Sequence, residues 1–161
     1  MIDPTEYRRV LGHYATGVAV VTAFAAEPVG MAVNSFTSVS LDPPLVSFCA
    51  AMTSATWPRI RAAGRFAVNI LDEHQQDACR RFASKDEDRF ASTPWHRSTG
   101  GSPILDDALA WLDCQIAFEQ SAGDHVIVGG LVVGLDAREG DPLLFYQGRY
   151  GALRSSTNPL G

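Results

Sequence analysis

Short apolar runs separated by turn residues dominate the hydrophobic pattern of this chain. The run from Val18 to Phe24 is continuous and rich in β-branched residues, which is typical of a strand buried on both faces. The segment from Ala110 to Glu119 instead alternates apolar and polar positions, which indicates a strand with one buried face. Gly123-Asp124 then predicts a hairpin turn into a second long strand from His125 to Leu135. The pattern therefore favours long antiparallel strands.

Several shorter segments extend this prediction. Met31 to Ser38 is expected to return antiparallel to the first strand after a turn at Glu27-Pro28. Further strands are predicted at residues 45–50, 66–70 and 143–146, whereas residues 84–103 are polar and are expected to be irregular. With about six or seven strands joined mainly by hairpins, the pattern predicts a closed or nearly closed antiparallel barrel.

Two or three helices are predicted to flank this barrel. The first covers residues 3–14, with Asp3 as its N-cap and Glu6 completing a capping box. The second ends at Gly64, because glycine readily adopts the conformation that terminates a helix. The third begins after an N-cap at Asp72.

Composition and charge narrow the class of protein. The 161 residues are 46% hydrophobic and 19% charged, which is ordinary for a globular chain. The net charge of −5 and the scattered arginines supply no basic stripe, so we expect no nucleic-acid partner. No apolar window approaches about 18 residues and no signal pattern is present, so we expect no membrane association and a cytoplasmic protein. We assign residues 1–154 to one domain and residues 155–161 to a C-terminal tail.

Cysteine and histidine spacing argues against a disulfide framework and against a metal site. The three cysteines lie far apart in sequence, and the four histidines show no ligand spacing with them or with one another. We expect the cysteines to be structural. Arg80 and Arg81 directly follow Cys79, so they are expected to lower the pKa of its thiol.

Four short polar segments carry the candidate chemistry. Ser35 to Ser40 is rich in short hydroxyl side chains, which allow a planar ligand to approach the backbone N–H groups. Thr53 to Thr56 precedes a helix and forms either a phosphate cradle or an ordinary N-cap. Lys85 and Arg89 either contact a phosphate or are solvated in a mixed-charge loop. His125 lies either at the mouth of the barrel or in a plain turn.

The order of these segments along the chain matches a known family. The core motif runs from Gly30 to Pro44 as GMAVNSFTSVSLDPP, with Ala32 standing where threonine is common. The motif is preceded by Thr16–Thr22 and followed by Phe66–Leu71, Phe82–Lys85, Gly123–His125, Pro142–Tyr146 and Gly148–Tyr150. Together these segments cover nearly the whole chain, and they resemble the short-chain flavin reductases of two-component monooxygenases.

This resemblance implies a fold and an activity. The fold would be mainly β with flanking helices: an antiparallel, Greek-key-like split β-barrel that binds FMN or FAD, usually as a homodimer. The activity would be hydride transfer from NADH or NADPH to the flavin, with delivery of reduced flavin to a separate monooxygenase. Because the sequence shows no cluster of arginine and lysine for a 2′-phosphate, it favours NADH as the donor.

The resemblance also implies a set of site residues. The flavin ring would be lined by Asn34, Ser35, Phe36, Thr37 and Ser38, with Ser40 near the ribityl chain. The phosphate would be held by Ser54, Thr56, Lys85 and Arg89. His125, the expected catalytic residue, and Tyr150 would lie beside the nicotinamide or the flavin face.

Two alternative functions remain open at this point. Related split-barrel proteins hold their flavin tightly and reduce another acceptor. A non-catalytic carrier of flavin or haem would use the same fold without consuming NAD(P)H.

Overall fold

A seven-stranded antiparallel sheet forms the centre of the computed structural model, which describes residues 1–85 and 88–154. Its strands, in the order in which they pair, are β3 (Glu27–Val33), β2 (Ala19–Ala25), β6 (Arg65–Ile70), β9 (Ala110–Ala122), β10 (His125–Ala137), β5 (Pro44–Ala51) and β4 (Thr37–Leu41). Every neighbouring pair in this sheet is antiparallel. The predicted mainly β, antiparallel architecture is therefore confirmed. The tail predicted at 155–161 lies outside the described residues.

Two small sheets accompany the central one. The first pairs β1 (Thr16–Gly17) with β11 (Leu144–Tyr146), which in turn pairs with β12 (Arg149–Gly151). The second pairs β7 (Trp95–Arg97) with β8 (Pro103–Leu105). The prediction that residues 84–103 are irregular is therefore wrong at β7. This strand was missed because its residues do not alternate between apolar and polar side chains.

Three helices flank the sheet, and the first begins at its predicted cap. The helix α1 (Pro4–Leu11) is shorter than predicted, and the Asp3 carboxylate accepts hydrogen bonds from the N–H groups of its first turn. The other half of the expected capping box does not form, because the Glu6 carboxylate binds the Arg9 guanidinium instead. No helix within residues 1–85 or 88–154 has the length and the apolar character needed to cross a membrane.

The two other helices pack close to the sheet. The helix α2 (Trp57–Ala63) ends as predicted at Gly64, whose φ of 72° lies in the left-handed region. Asp72 forms the predicted capping box with Gln75 and introduces a short 3-10 turn, after which α3 (Gln76–Ala83) begins. Both cap signals were therefore read correctly from residue types alone.

Two hydrophobic clusters lie on opposite faces of the sheet. The first fills the inside of the curled sheet and includes Phe48 and Phe66 together with Trp57 and Ile60 of α2. The second joins the outside of β2 to α3 and includes Cys79, Phe82, Leu71 and Leu105. As a result, α2 and α3 are fixed on either side of the edge strand β3.

The predicted strand from Met31 to Ser38 is wrong. Strand β3 ends at Val33, and Thr37 begins β4 at the opposite edge of the sheet. The hairpin turn before β3 lies at Ala26, with φ of 65°, so Glu27-Pro28 belongs to the strand. Because residues 34–36 span at most about 14 Å between Val33 and Thr37, the two edges lie close together. The sheet therefore curls towards a barrel that is split between β3 and β4.

Candidate functional site

The three residues Asn34, Ser35 and Phe36, called here the link, join the two edges of the split sheet. The Ser35 hydroxyl accepts a hydrogen bond from the Cys49 N–H at 2.8 Å and donates one to the Cys49 carbonyl at 3.4 Å. Within residues 1–85 and 88–154, the backbone N–H groups of the link have no hydrogen-bond partner. The link therefore holds three backbone N–H groups at the split that no described residue pairs, and Asn34 among them lines a pocket.

A cleft of about 770 Å³ lies on the outer side of β3, and we call it the cationic cleft. It is lined by Glu27, Pro28, Val29, Gly30, Ala55, Thr56, Arg59, Lys85, Asp88, Arg89 and Phe90. Three of the residues predicted to hold a phosphate, Thr56, Lys85 and Arg89, are therefore brought together. Gly30 lies four residues before Asn34, so the cleft and the link are about 13 Å apart along β3.

Arg89 ties three walls of the cationic cleft together. Its Nη1 donates to the Gly30 carbonyl of β3 at 2.7 Å and to the Thr56 hydroxyl at 3.3 Å. Its Nη2 donates to the Ser84 carbonyl directly after α3. The guanidinium thus connects β3, the segment before α2 and the end of α3, and so holds the cleft in shape.

Ser54 is the predicted phosphate residue that the structure places differently. Its hydroxyl accepts hydrogen bonds from the N–H groups of Thr56 at 3.2 Å and Trp57 at 3.1 Å. These bonds stabilise the turn that leads into α2, whereas the N-cap residue itself is Thr56 and makes no side-chain capping bond. Ser54 does not line the cationic cleft.

Arg59 is a site candidate that the sequence analysis missed. It lies in the first turns of α2, lines the cationic cleft and forms an ion pair with Glu27. The signal was its position three residues after Thr56, which places both side chains at the same end of a helix. Arg59, Lys85 and Arg89 therefore converge on one cleft although they are separated in sequence.

A second, smaller pocket of about 180 Å³ lies next to the link, and we call it the ring pocket. It is lined by Val18, Ala32, Val33, Asn34, Cys79, Ala83, Phe145 and Tyr150. The Tyr150 hydroxyl contacts the Cys79 sulfur at 3.3 Å, and the Arg80 guanidinium lies 5.7 Å from the centre of the tyrosine ring. The pocket therefore combines apolar walls with one amide and one phenol.

The Cys79–Tyr150 contact changes the titration of both groups. The hydrogen bond to Cys79, together with burial, raises the pKa of Tyr150 to about 12. Burial raises the pKa of the Cys79 thiol, and this outweighs the opposing effects of Tyr150 and Arg80. Arg80 does act to lower this pKa as expected, but burial outweighs it and the net shift is upward. Arg81 instead donates a hydrogen bond to the Thr93 hydroxyl.

His125 lies at the start of β10, opposite Ala51 of β5. Its Nδ1 lies 2.6 Å from the Asp124 carboxylate, and this hydrogen bond lowers the pKa of Asp124. The Asp124 carbonyl accepts a hydrogen bond from the Met52 N–H, which ties the turn to the segment before α2. His125 lines neither the cationic cleft nor the ring pocket.

The remaining predicted flavin residues are Phe36 of the link and three residues of β4, namely Thr37, Ser38 and Ser40. Phe36 packs against the inner core, and the Thr37 hydroxyl donates to the Ser38 carbonyl at 3.3 Å. Ser38 and Ser40 lie on β4 on either side of a bulge, opposite Val46 and Leu45. These side chains line neither pocket, so the structure does not bring Ser40 to the phosphate residues.

The described residues were also compared with the ligand sets of metal sites. Within residues 1–85 and 88–154, no group of three or more His, Cys, Asp or Glu side chains is placed to hold a metal ion.

Comparison with known proteins identifies the family. The model of the flavin reductase like domain matches residues 11–154. A flavin reductase of Pseudomonas putida is 51% identical over 153 residues, covering 93% of this chain and 90% of the relative.

Solved structures agree with this match. Nitrilotriacetate monooxygenase component B from Mycobacterium thermoresistibile superposes with a TM-score of 0.94 at 45% identity, covering 98% of this chain and 90% of that chain. An NADH:FAD oxidoreductase from Streptomyces globisporus C-1027, solved with NAD and FAD fragments, gives a TM-score of 0.93 at 37% identity and covers 98% and 99%. The chain therefore belongs to the family of flavin reductase like domains.

Proposed function

We propose that this protein is an NAD(P)H:flavin oxidoreductase that transfers hydride to FMN or FAD and supplies reduced flavin to a partner monooxygenase. The observation that carries the proposal is the arrangement along β3. The cationic cleft lies at one end of this edge strand, and the unpartnered N–H groups of the link lie at the other. A flavin nucleotide has the matching layout, with a phosphate at one end and a polar ring edge at the other.

The residues present fit a flavin. Lys85, Arg89 and Arg59 supply positive charge for its phosphate, and Thr56 adds a hydroxyl. Ser40 is proposed near the ribityl chain, and the hydrogen bonds of Ser54 stabilise the turn into α2, where Thr56 and Arg59 reach the cleft. The walls of the ring pocket suit an aromatic ring of the flavin or of the nicotinamide, beside Tyr150.

The protein's chemical task in this proposal is orientation. When bound, the flavin accepts the hydride that NADH or NADPH donates, so the cofactor supplies the electronic chemistry. The N–H donors of residues 34–38 hold the polar edge of the ring. His125, held by Asp124 through Nδ1, is proposed as the catalytic residue beside the nicotinamide or the flavin face. No strong acid, base or nucleophile is needed for this reaction.

The proposal extends to assembly and location. One relative is itself a monooxygenase component, which supports a separate oxygenase as the recipient of the reduced flavin. We propose a homodimer, because several large apolar side chains of the sheet are exposed in the protomer. We also propose a cytoplasmic enzyme with one catalytic domain at residues 1–154. Its free cysteines and its dependence on NAD(P)H suit that compartment.

The test is NADH and NADPH consumption by desalted protein, with FMN, FAD and riboflavin added in turn. We expect consumption that saturates with added flavin, because the proposed flavin is a substrate rather than a fixed group. Mixtures without enzyme and without flavin serve as controls. Consumption without added flavin would instead favour a flavoprotein that reduces another acceptor. Flavin binding without any NAD(P)H consumption would contradict the reductase and leave a carrier.

A further inference from the structure

Ser35 lies in register with Cys49, and its side chain takes the place of a backbone pairing. Thr37 of β4 pairs with Ser47 of β5. Two residues further along each strand, the same antiparallel register sets Ser35 opposite Cys49. At this position the Ser35 hydroxyl both accepts from the Cys49 N–H and donates to the Cys49 carbonyl. One side chain therefore makes the two hydrogen bonds that a regular ladder would make with backbone groups.

This exchange leaves the Ser35 N–H group without the ladder partner that Cys49 would otherwise supply. The N–H groups of Asn34, Ser35 and Phe36 have no hydrogen-bond partner among the residues that the structure describes. Asn34 is exposed, while Ser35 and Phe36 are half-buried, so a ligand at the split can reach this segment. The link is thus fastened to β5 by a side chain while its backbone donors stay available.

We infer that Ser35 is a positioning residue, whose hydroxyl holds the link so that its N–H donors face the flavin and does not itself donate a hydrogen bond to the flavin. A serine hydroxyl has one proton, and Ser35 donates that proton to Cys49. The inference rests on the proposed function, because it concerns the same flavin site. Donors fixed in advance bind most strongly where negative charge develops, so they favour the reduced flavin over the oxidised flavin.

The experiment compares Ser35→Ala with Ser35→Thr, which keeps the hydroxyl. Ser92→Ala is the matched control, since Ser92 is exposed and lines neither pocket. Two measurements are made: the dissociation constants of oxidised and of reduced FMN under anaerobic conditions, and the hydrogen-exchange rate of the Cys49 amide without flavin.

For Ser35→Ala, we expect the Cys49 amide to exchange faster and reduced FMN to bind about tenfold more weakly, with a smaller loss for oxidised FMN. Ser35→Thr is expected to stay within about threefold of the wild type, because it retains both hydrogen bonds. If Ser35→Ala does not fold, Ser35→Cys replaces it, and its weaker thiol donor should give an intermediate loss.

Three outcomes would overturn the inference: Ser35→Ala behaving like Ser92→Ala, Ser35→Thr binding as weakly as Ser35→Ala, or an equal loss for both redox states. These outcomes concern differences between variants. A wild-type protein that binds FMN but consumes no NAD(P)H would overturn the proposed function instead.

Discussion

Arg59 tests whether the cationic cleft binds a phosphate. Arg59→Gln should raise the KM for FMN about fivefold, or about 1 kcal/mol, because an ion pair with a half-exposed arginine is screened by water. The KM for riboflavin, which lacks the phosphate, should not change. Steady-state NADH consumption with each flavin measures both values.

Arg61→Gln is the matched control for Arg59→Gln. Arg61 lies on the same helix, but it pairs with Glu119 and does not line the cationic cleft. We therefore expect normal KM values for both flavins. If Arg59→Gln raised the KM for riboflavin as much as the KM for FMN, the cleft would not be a phosphate site.

The raised pKa of Tyr150 predicts how the free energy of unfolding depends on pH. Its pKa is raised to about 12 by the hydrogen bond to Cys79 and by burial, so folding favours the neutral phenol. The folded pKa lies above the ordinary tyrosine value of about 10, so this contribution to stability is complete below about pH 10 and is lost as the pH rises towards 12. The difference in unfolding free energy between the wild type and Tyr150→Phe should therefore shrink over that range.

Urea unfolding at several pH values measures this difference. Tyr14→Phe serves as the control for the loss of a tyrosine hydroxyl, because Tyr14 is 80% exposed. A Tyr150→Phe protein with the same pH dependence as the wild type would contradict the proposed coupling between Tyr150 and Cys79.

At the scale of single residues, the sequence predicts which residue types come together in the candidate site. It does not predict the hydrogen-bond partner of each hydroxyl. The structure brings Thr56, Lys85 and Arg89 together in one cleft. It does not bring Ser54 there, and the sequence alone does not distinguish a hydroxyl that bonds the start of a helix from one that binds an anion. Arg59 was missed because its partner Glu27 lies 32 residues away, a pairing that only the fold creates.

At the scale of elements, strands were easier to predict than their breaks. The long pair β9–β10 and the cap at Asp72 follow from local residue patterns, and both were predicted. The break between β3 and β4 was not predicted, because the residues on both sides of it suit a strand. In the structure the break is marked by the Ser35 side chain, which bonds Cys49 where a backbone group would otherwise do so. Which strands form the two edges depends on the pairing of the whole sheet, and the local spacing of apolar residues does not encode that pairing.

Gly64 ends α2, and its conformation predicts how a substitution there changes the stability of the protein. Its φ of 72° is strained for any residue with a Cβ, although open space surrounds the position. Gly64→Ala should therefore lower the free energy of unfolding by about 1–2 kcal/mol through backbone strain alone. Gly17→Ala is the matched control: its surroundings are equally open and its φ is not positive, so it should be neutral or slightly stabilising.

Urea unfolding of the two variants separates these effects. A neutral Gly64→Ala would show that α2 ends in another way in solution. An equal loss in both variants would show that added volume, rather than the left-handed conformation, causes the effect.

At the scale of the whole molecule, apolar surface is unevenly distributed. Large exposed apolar residues occur on β4, β9 and β10, namely Val39, Leu41, Phe118, Val133 and Leu135, and on α1, namely Tyr7, Val10 and Leu11. The strands β3, β2 and β6 carry no such residue among the described positions. Because isolated protomers rarely expose contiguous apolar patches, the half of the sheet from β9 to β4 is where a second copy is expected to pack.

Leu135 tests this proposed homodimer. Its side chain is 67% exposed in the protomer, so Leu135→Asp should leave the protomer folded but place a charge in the buried centre of a dimer interface. We expect the wild type to have the mass of a dimer and Leu135→Asp to have the mass of a monomer, measured by light scattering after size exclusion. Leu153→Asp is the control, because Leu153 is also exposed but lies outside the sheet. A wild type that stays monomeric at high concentration, or a Leu135→Asp variant that stays dimeric, would show that this half of the sheet does not form the interface.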